Sequence, residues 1–450
     1  WVRGAFLLPI SNRFSVNESP SPLFFSMCSL IKDFGVCARV QKLHRPQHGA
    51  LRPRVCWLIV CLLLLGANSS QLLEAQESQP IETNLGSDVE TVRVIYKNEQ
   101  GEEENTLAEV WARKDGGILA LLPNGQLKTI FKEQQLSVKT TQEKMQPMTQ
   151  QEIFEELKGQ LPTGFALRKT KHYLIVYNTS PAYAEWAGEL FERLYRGFYN
   201  YWKQIYNIEL EEPRFPLVAV VFRDQQSYIR FAQRFVGDSA KTMIGYYNMQ
   251  TNRMVSYDLT GINGLANGAN PQASNRKLID QILTSPGAER TVATIVHEAV
   301  HQIAYNSGLQ TRLADNPRWL SEGMAMYFES PDFKNKSGWS MGKVNRHNLL
   351  KFKQNFRQRK PDSLSTLIST DKRLLNSREA ALAYPESWAL TFFLMKTMKE
   401  EFRGYLTELQ ELPPLGPMQE KKRVETFKKY FGEDMQVLER NFLRYISRQR

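Results

Sequence analysis

Residues 291–305 read Thr-Val-Ala-Thr-Ile-Val-His-Glu-Ala-Val-His-Gln-Ile-Ala-Tyr, and Asn306-Ser307-Gly308 follows. Val292, Ile295, Val296, Val300 and Ile303 recur at helical spacing, which predicts a buried helix. Gly308 suits the left-handed position just past its end. His297 and His301 are four residues apart, so both imidazoles project from one face about a turn apart. Two nitrogen ligands of one metal ion need that arrangement. Glu298 sits one position round the helix, where it can reach a metal-activated water without taking a coordination position. The competing reading is two core histidines beside a surface acid. It leaves three polar groups in an apolar helix without partners, which is costly.

A catalytic zinc needs a third protein ligand and one open position. The next apolar segment, Pro317 to Ser330 (PRWLSEGMAMYFES), carries Trp319, Leu320, Met324, Tyr327 and Phe328. Asn316 is expected to cap this helix, with Pro317 in its first turn. Glu322 is its one acid before Glu329 and completes a His₂Glu set; Glu329 is the competing ligand. The alternative for Glu322 is an ordinary exposed helix acid. Gly323 removes a side chain beside it and predicts the close approach of another helix.

His-Glu-x-x-His followed by Trp-Leu-Ser-Glu-Gly-Met-Ala-Met-Tyr resembles the gluzincin superfamily of zinc peptidases, in its branch with a Trp-x-x-Glu-Gly-x-Ala-x-Tyr second motif. Together with Tyr384-Pro385-Glu386-Ser387-Trp388-Ala389-Leu390, it is similar to a poorly characterised gluzincin-like family of exported proteins from planctomycete bacteria. The similarity spans roughly 166–410 and is dense only at 294–328 and 381–394. It implies a thermolysin-like core with Zn²⁺ on His297, His301 and Glu322, and Glu298 as general base. Tyr384 is implied as the donor to the oxyanion, with a core tyrosine as the equal alternative and His347 as the second candidate. The resemblance also implies that Arg253 to Leu259 is an exposed sheet edge to which an extended peptide adds. One position departs from the pattern. Met326 stands where thermolysin has an Asp that orients a ligand histidine, so Asp315 or a backbone carbonyl is expected in that role.

Around the motif the pattern is α+β. Val92, Val94 and Tyr96 alternate, and Pro123-Asn124-Gly125-Gln126 between apolar runs signals a hairpin, giving a small β-domain over 88–142. Thr149 and Glu152 form a capping box that opens a helix to about Leu157 within a connecting segment, 143–165. The peptidase-like domain is then 166–450: strand 172–178, helix 181–205, strand 216–222, helix 225–235, a hairpin over 244–259, and a mostly helical remainder. His172 opens a strand and is expected to do no chemistry. A second aromatic helix is expected at Glu386 to Met398.

The net charge of +11 suggests a nucleic-acid or membrane partner until it is divided by position. Residues 1–70 hold eight Lys and Arg against two Asp and Glu; the rest holds 50 against 45, a mixed surface that predicts no nucleic-acid partner. All four cysteines also lie in 1–70, far from the His-Glu motif. Arg52-Pro53-Arg54, the apolar run Val55 to Leu65 and the small residues 66–70 follow the order of a secretory signal, too short for a comfortable span. An uncleaved anchor is the alternative. Residues 1–70 are therefore read as an over-extended N-terminus plus signal, with Met27 a candidate start, and 71–87 as a linker. The expectation is an exported protein, periplasmic, cell-surface or extracellular, without a membrane span in its mature form. Its function is expected to be a zinc-dependent hydrolase using zinc-activated water, a peptidase first. A non-peptide metallohydrolase and a non-catalytic binding protein on a peptidase scaffold are the alternatives.

Overall fold

The structure, a computed structural model, describes residues 82–83, 89–261, 275–285, 287–330 and 341–450. The apolar run at 55–65 and most of the Gly- and Asn-rich stretch after Thr260 lie outside the described residues. The chain is α+β, with an N-terminal antiparallel sheet, a mixed sheet and a largely helical C-terminal half.

The N-terminal sheet comprises β1 (Glu82–Thr83), β2 (Thr91–Lys97), β3 (Glu103–Lys114), β4 (Gly117–Leu121), β5 (Leu127–Ile130) and β6 (Gln135–Thr140). Its order is β5-β4-β3-β2-β6, with β1 beside β3. Alternation does the sorting: Val92, Val94 and Tyr96 are buried while Arg93 and Lys97 face out. The predicted hairpin joins β4 to β5, where Gly125 takes φ +79° and the Leu122 N–H donates to Gln126 O at 2.9 Å. Helix α1 (Gln150–Gln160) begins at the expected box, with Thr149 and Glu152 capping each other, and runs three residues beyond Leu157.

The mixed sheet holds β7 (Ala166–Lys169), β8 (Tyr173–Tyr177), β9 (Leu217–Phe222), β10 (Gly245–Asn248) and β11 (Arg253–Tyr257), in the order β10-β11-β9-β8-β7. β8, β9 and β11 run parallel, and their near-continuous apolar sequences follow from burial on both faces. Leu217, Ala219 and Val221 face helix α2 (Pro181–Tyr206) and the C-terminal half; Val218, Val220 and Phe222 face α1 and α3 (Gln225–Val236). Each of the Leu, Val and Phe side chains among them contributes roughly 1.5–3 kcal/mol on burial.

The expected edge strand is a correction. β11 lies inside the sheet, paired antiparallel with β10 and parallel with β9, so its backbone groups are already used. The outer strand of that hairpin, β10, is the edge.

The C-terminal half contains α4 (Arg276–Leu283), α5 (Glu289–Asn306), α6 (Arg318–Phe328), α7 (Arg346–Asn355), α8 (Ser363–Ser369), α9 (Lys372–Leu375), α10 (Ser377–Thr397), α11 (Lys399–Gln410), α12 (Glu420–Phe431) and α13 (Met435–Ser447). Gln302 ties α5 to the mixed sheet, donating to Val218 O at 3.0 Å and Asn252 O at 3.1 Å. Gly323 does bring a helix close: a Cβ there would lie 2.8 Å from Ser387 O of α10. Two expected helix starts differ. Asn316 does not cap α6; its amide donates to Thr311 O, and the Arg318 N–H is accepted by Asp371 Oδ1 at 3.1 Å, from a distant segment. Nor does the helix begin at Glu386: α10 starts at Ser377 and runs through Pro385. The carbonyl that Pro385 cannot engage, Ala381 O, accepts from Asn355 Nδ2 at 3.5 Å.

Candidate metal centre

His297 and His301 leave buried α5 one turn apart, and Glu322 meets them from α6. His301 Nε2 lies 3.2 Å from His297 Nε2, which lies 3.2 Å from Glu322 Oε2; His301 Nε2 is 3.9 Å from the same oxygen. Bonds of about 2.0–2.2 Å in a tetrahedral site would set donor atoms about 3.3–3.6 Å apart. The three distances bracket that range. The donors therefore fit a metal ion, and the group resembles an HExxH-plus-Glu zinc site.

The charge state agrees. Burial alone would depress His297, yet Glu322 and Glu329 outweigh it and push its pKa up to about 10. Burial likewise opposes ionisation of Glu322, but the two histidines hold its carboxyl well below the usual range. The cluster thus attracts positive charge, which the metal-free protein meets with a proton.

Glu329 does not compete for the metal position. Its Oε2 lies 3.0 Å from His297 Nδ1, the other ring nitrogen, so Nε2 faces Glu322 and His301. Its Oε1 accepts from Asn345 Nδ2 at 2.7 Å, and the same amide donates to Met326 O at 3.1 Å. This corrects the expectation that Asp315 or a carbonyl fixes the histidine: Asp315 instead pairs with Arg423 at 2.5 Å and accepts the Met418 N–H. Glu329, three residues beyond Met326 and seven beyond Glu322, shares the face of Glu322 on α6 and its end. That i, i+7 spacing was the available signal. Asn345 had none, since it comes from another helix start.

Glu298 is 7 % exposed, and its Oε2 accepts the Tyr247 N–H from β10 at 2.9 Å. Burial raises its pKa, and His297, His301 and that N–H pull the other way. It lies beside the three donors without joining them. Tyr384, on α10, has a buried hydroxyl with no hydrogen-bond partner among the described residues. Burial first, then the charge of Glu322, raises its pKa. His347, in the first turn of α7, is not one of the three. His172 pairs with Glu192 at 2.8 Å and stacks on Tyr195, as a structural residue should.

A family profile described as "Protein of unknown function (DUF1570)" matches residues 291–416, which take in most of α5 and all of α6 and α10. No curated protein matches the chain.

Proposed function

We propose that this chain is an exported zinc-dependent peptidase on a thermolysin-like gluzincin core, with His297, His301 and Glu322 as ligands and Glu298 as general base. One observation carries the reading. Three donor atoms converge at near-tetrahedral spacing from two buried helices, and a fourth side chain, the carboxylate of Glu298, stands beside them outside the set. A purely structural ion would gain nothing from that fourth group. Export rests on the signal-like order of residues 52–70; no helix among the described residues is long and apolar enough to cross a membrane.

A bound zinc ion would supply Lewis-acid polarisation of the scissile carbonyl and lower the pKa of water to about 7. Glu298 takes the proton of the attacking water, and its buried setting favours holding that proton until the leaving nitrogen receives it. The Tyr247 N–H fixes one carboxylate oxygen and leaves the other free to act. The Tyr384 hydroxyl, which no described group uses, donates to the oxygen that gains charge. A peptide substrate is favoured by the sheet edge. β10 turns an N–H toward Glu298, so an extended chain added along Gly245–Asn248 passes in front of the base.

Metal analysis and peptide assays on the purified protein and Glu298→Gln test this together. About one zinc per chain is expected in both, with cleavage only in the parent. Absence of zinc under metal-replete conditions overturns the ligand set, and equal activity in the two removes Glu298 as the base.

A further inference from the structure

One turn before Glu322, Arg318 opens α6 with its N–H held by Asp371 Oδ1. Residues four apart share a helix face, so its guanidinium lies on the side of the metal group. Nη1 is buried, and among the described residues no acceptor bonds it and no carboxylate forms an ion pair with it. The acids nearby are already engaged. Asp371 pairs with Arg423 at 2.8 Å and takes the Arg318 N–H, while Glu322 faces the two histidines. Burial works against the guanidinium charge, and the nearby carboxylates Glu322 and Asp371 favour it. An N–H buried without an acceptor is costly, and such a cost persists where a ligand relieves it. The Tyr384 hydroxyl beside it is unpartnered too.

We propose that Arg318 receives the free C-terminal carboxylate of the substrate, which makes this a carboxypeptidase that releases one residue at a time. The inference rests on the peptidase reading above. Its chemistry is that of the fork: a guanidinium matches a carboxylate through two parallel hydrogen bonds and keeps its charge at any working pH. Its place fits as well: Glu322 follows one turn along the same helix, and the charges of Arg318, Tyr384 and Glu322 act on one another, so the guanidinium stands beside the donor group, where the carboxylate of a residue next to the scissile bond arrives. Water adds its oxygen to the scissile carbonyl carbon, the C–N bond breaks, and the leaving nitrogen takes the proton carried by Glu298. The products are a shortened peptide and a free amino acid.

The test pairs an N-acylated dipeptide with its C-terminal amide, assayed on the zinc-loaded protein, Arg318→Gln and Arg318→Lys. The parent should prefer the free acid by about 10²–10³-fold in kcat/KM. Arg318→Gln should lose that preference mainly through KM, Arg318→Lys should keep part of it, and zinc content should stay at one in all three. Equal cleavage of acid and amide by the parent overturns the inference, as does an unchanged preference in Arg318→Gln. If the parent cleaves neither, the peptidase reading fails. Calorimetry with zinc-loaded Glu298→Gln then judges the carboxylate site separately: tighter binding of the acid supports it, and equal affinity overturns it.

Discussion

Glu329 Oε2 lies 3.0 Å from His297 Nδ1, and this contact decides which imidazole nitrogen faces the metal group. The carboxylate can only accept, so Nδ1 carries the proton and Nε2 is left to ligate. Glu329→Gln should weaken zinc binding about 10–100-fold, read by competition with a chelating dye. Asn345→Ala should do the same to a smaller degree, because it leaves Glu329 in place but removes the bond that holds it at 2.7 Å, along with the bond to Met326 O and the cap of α7.

The metal-free protein should show an inverted pH response. His297 is raised from 6.5 to about 10 in the folded state. A raised pKa stabilises fully below the unfolded value and less as pH climbs toward the folded one. Melting temperature of chelator-treated protein should therefore fall between pH 6.5 and pH 10. Zinc must expel that proton, so zinc-loaded protein should lose its metal toward acid pH instead. A metal-free melting curve that rises over the same interval would contradict this assignment.

Gly323→Ala should cost stability and metal affinity together. The added Cβ meets Ser387 O at 2.8 Å and the Thr391 side chain, so α6 must move off α10 and carry Glu322 with it. Overpacking of this kind costs about 1–3 kcal/mol. Denaturant midpoints and zinc titrations on the same preparations check both halves.

Tyr384→Phe separates catalysis from structure. Removing a buried hydroxyl that has no partner should leave stability unchanged or slightly improved. Turnover should fall about 10²–10³-fold if that hydroxyl donates to the oxyanion. A loss of stability with intact kcat would make it a core tyrosine.

Local spacing carried the legible part. His297 and His301 are read from one helical turn, and Glu322 from being a lone acid in an apolar helix, so the group of three that could hold a metal ion is legible in the sequence. Apart from Glu329, whose spacing from Glu322 was there to be read, the misreadings are non-local. Strand Arg253–Tyr257 looks like an edge until β9 is known to pair beside it. Pro385 reads as a helix boundary until Asn355 supplies the missing bond to Ala381 O. Asn316 reads as a cap until Asp371 arrives from 55 residues away to take the Arg318 N–H, leaving Asn316 to bond its own loop. Composition carries no trace of such partners.

Arg312 is 3 % exposed, and its Nη1 donates to Gly125 O at 2.9 Å and to Met249 O at 3.3 Å. The first acceptor belongs to the β4–β5 turn of the N-terminal sheet, and the second to the β10–β11 turn beside the candidate base. The Leu127 N–H adds a second rivet, donating to Gln250 O at 2.7 Å. Cutting away the N-terminal sheet would thus leave a buried cation short of an acceptor next to the strand that positions Glu298. The small sheet acts as a splint for the candidate metal centre, and the two should melt as one cooperative unit, with any metal affinity lost when the splint is removed.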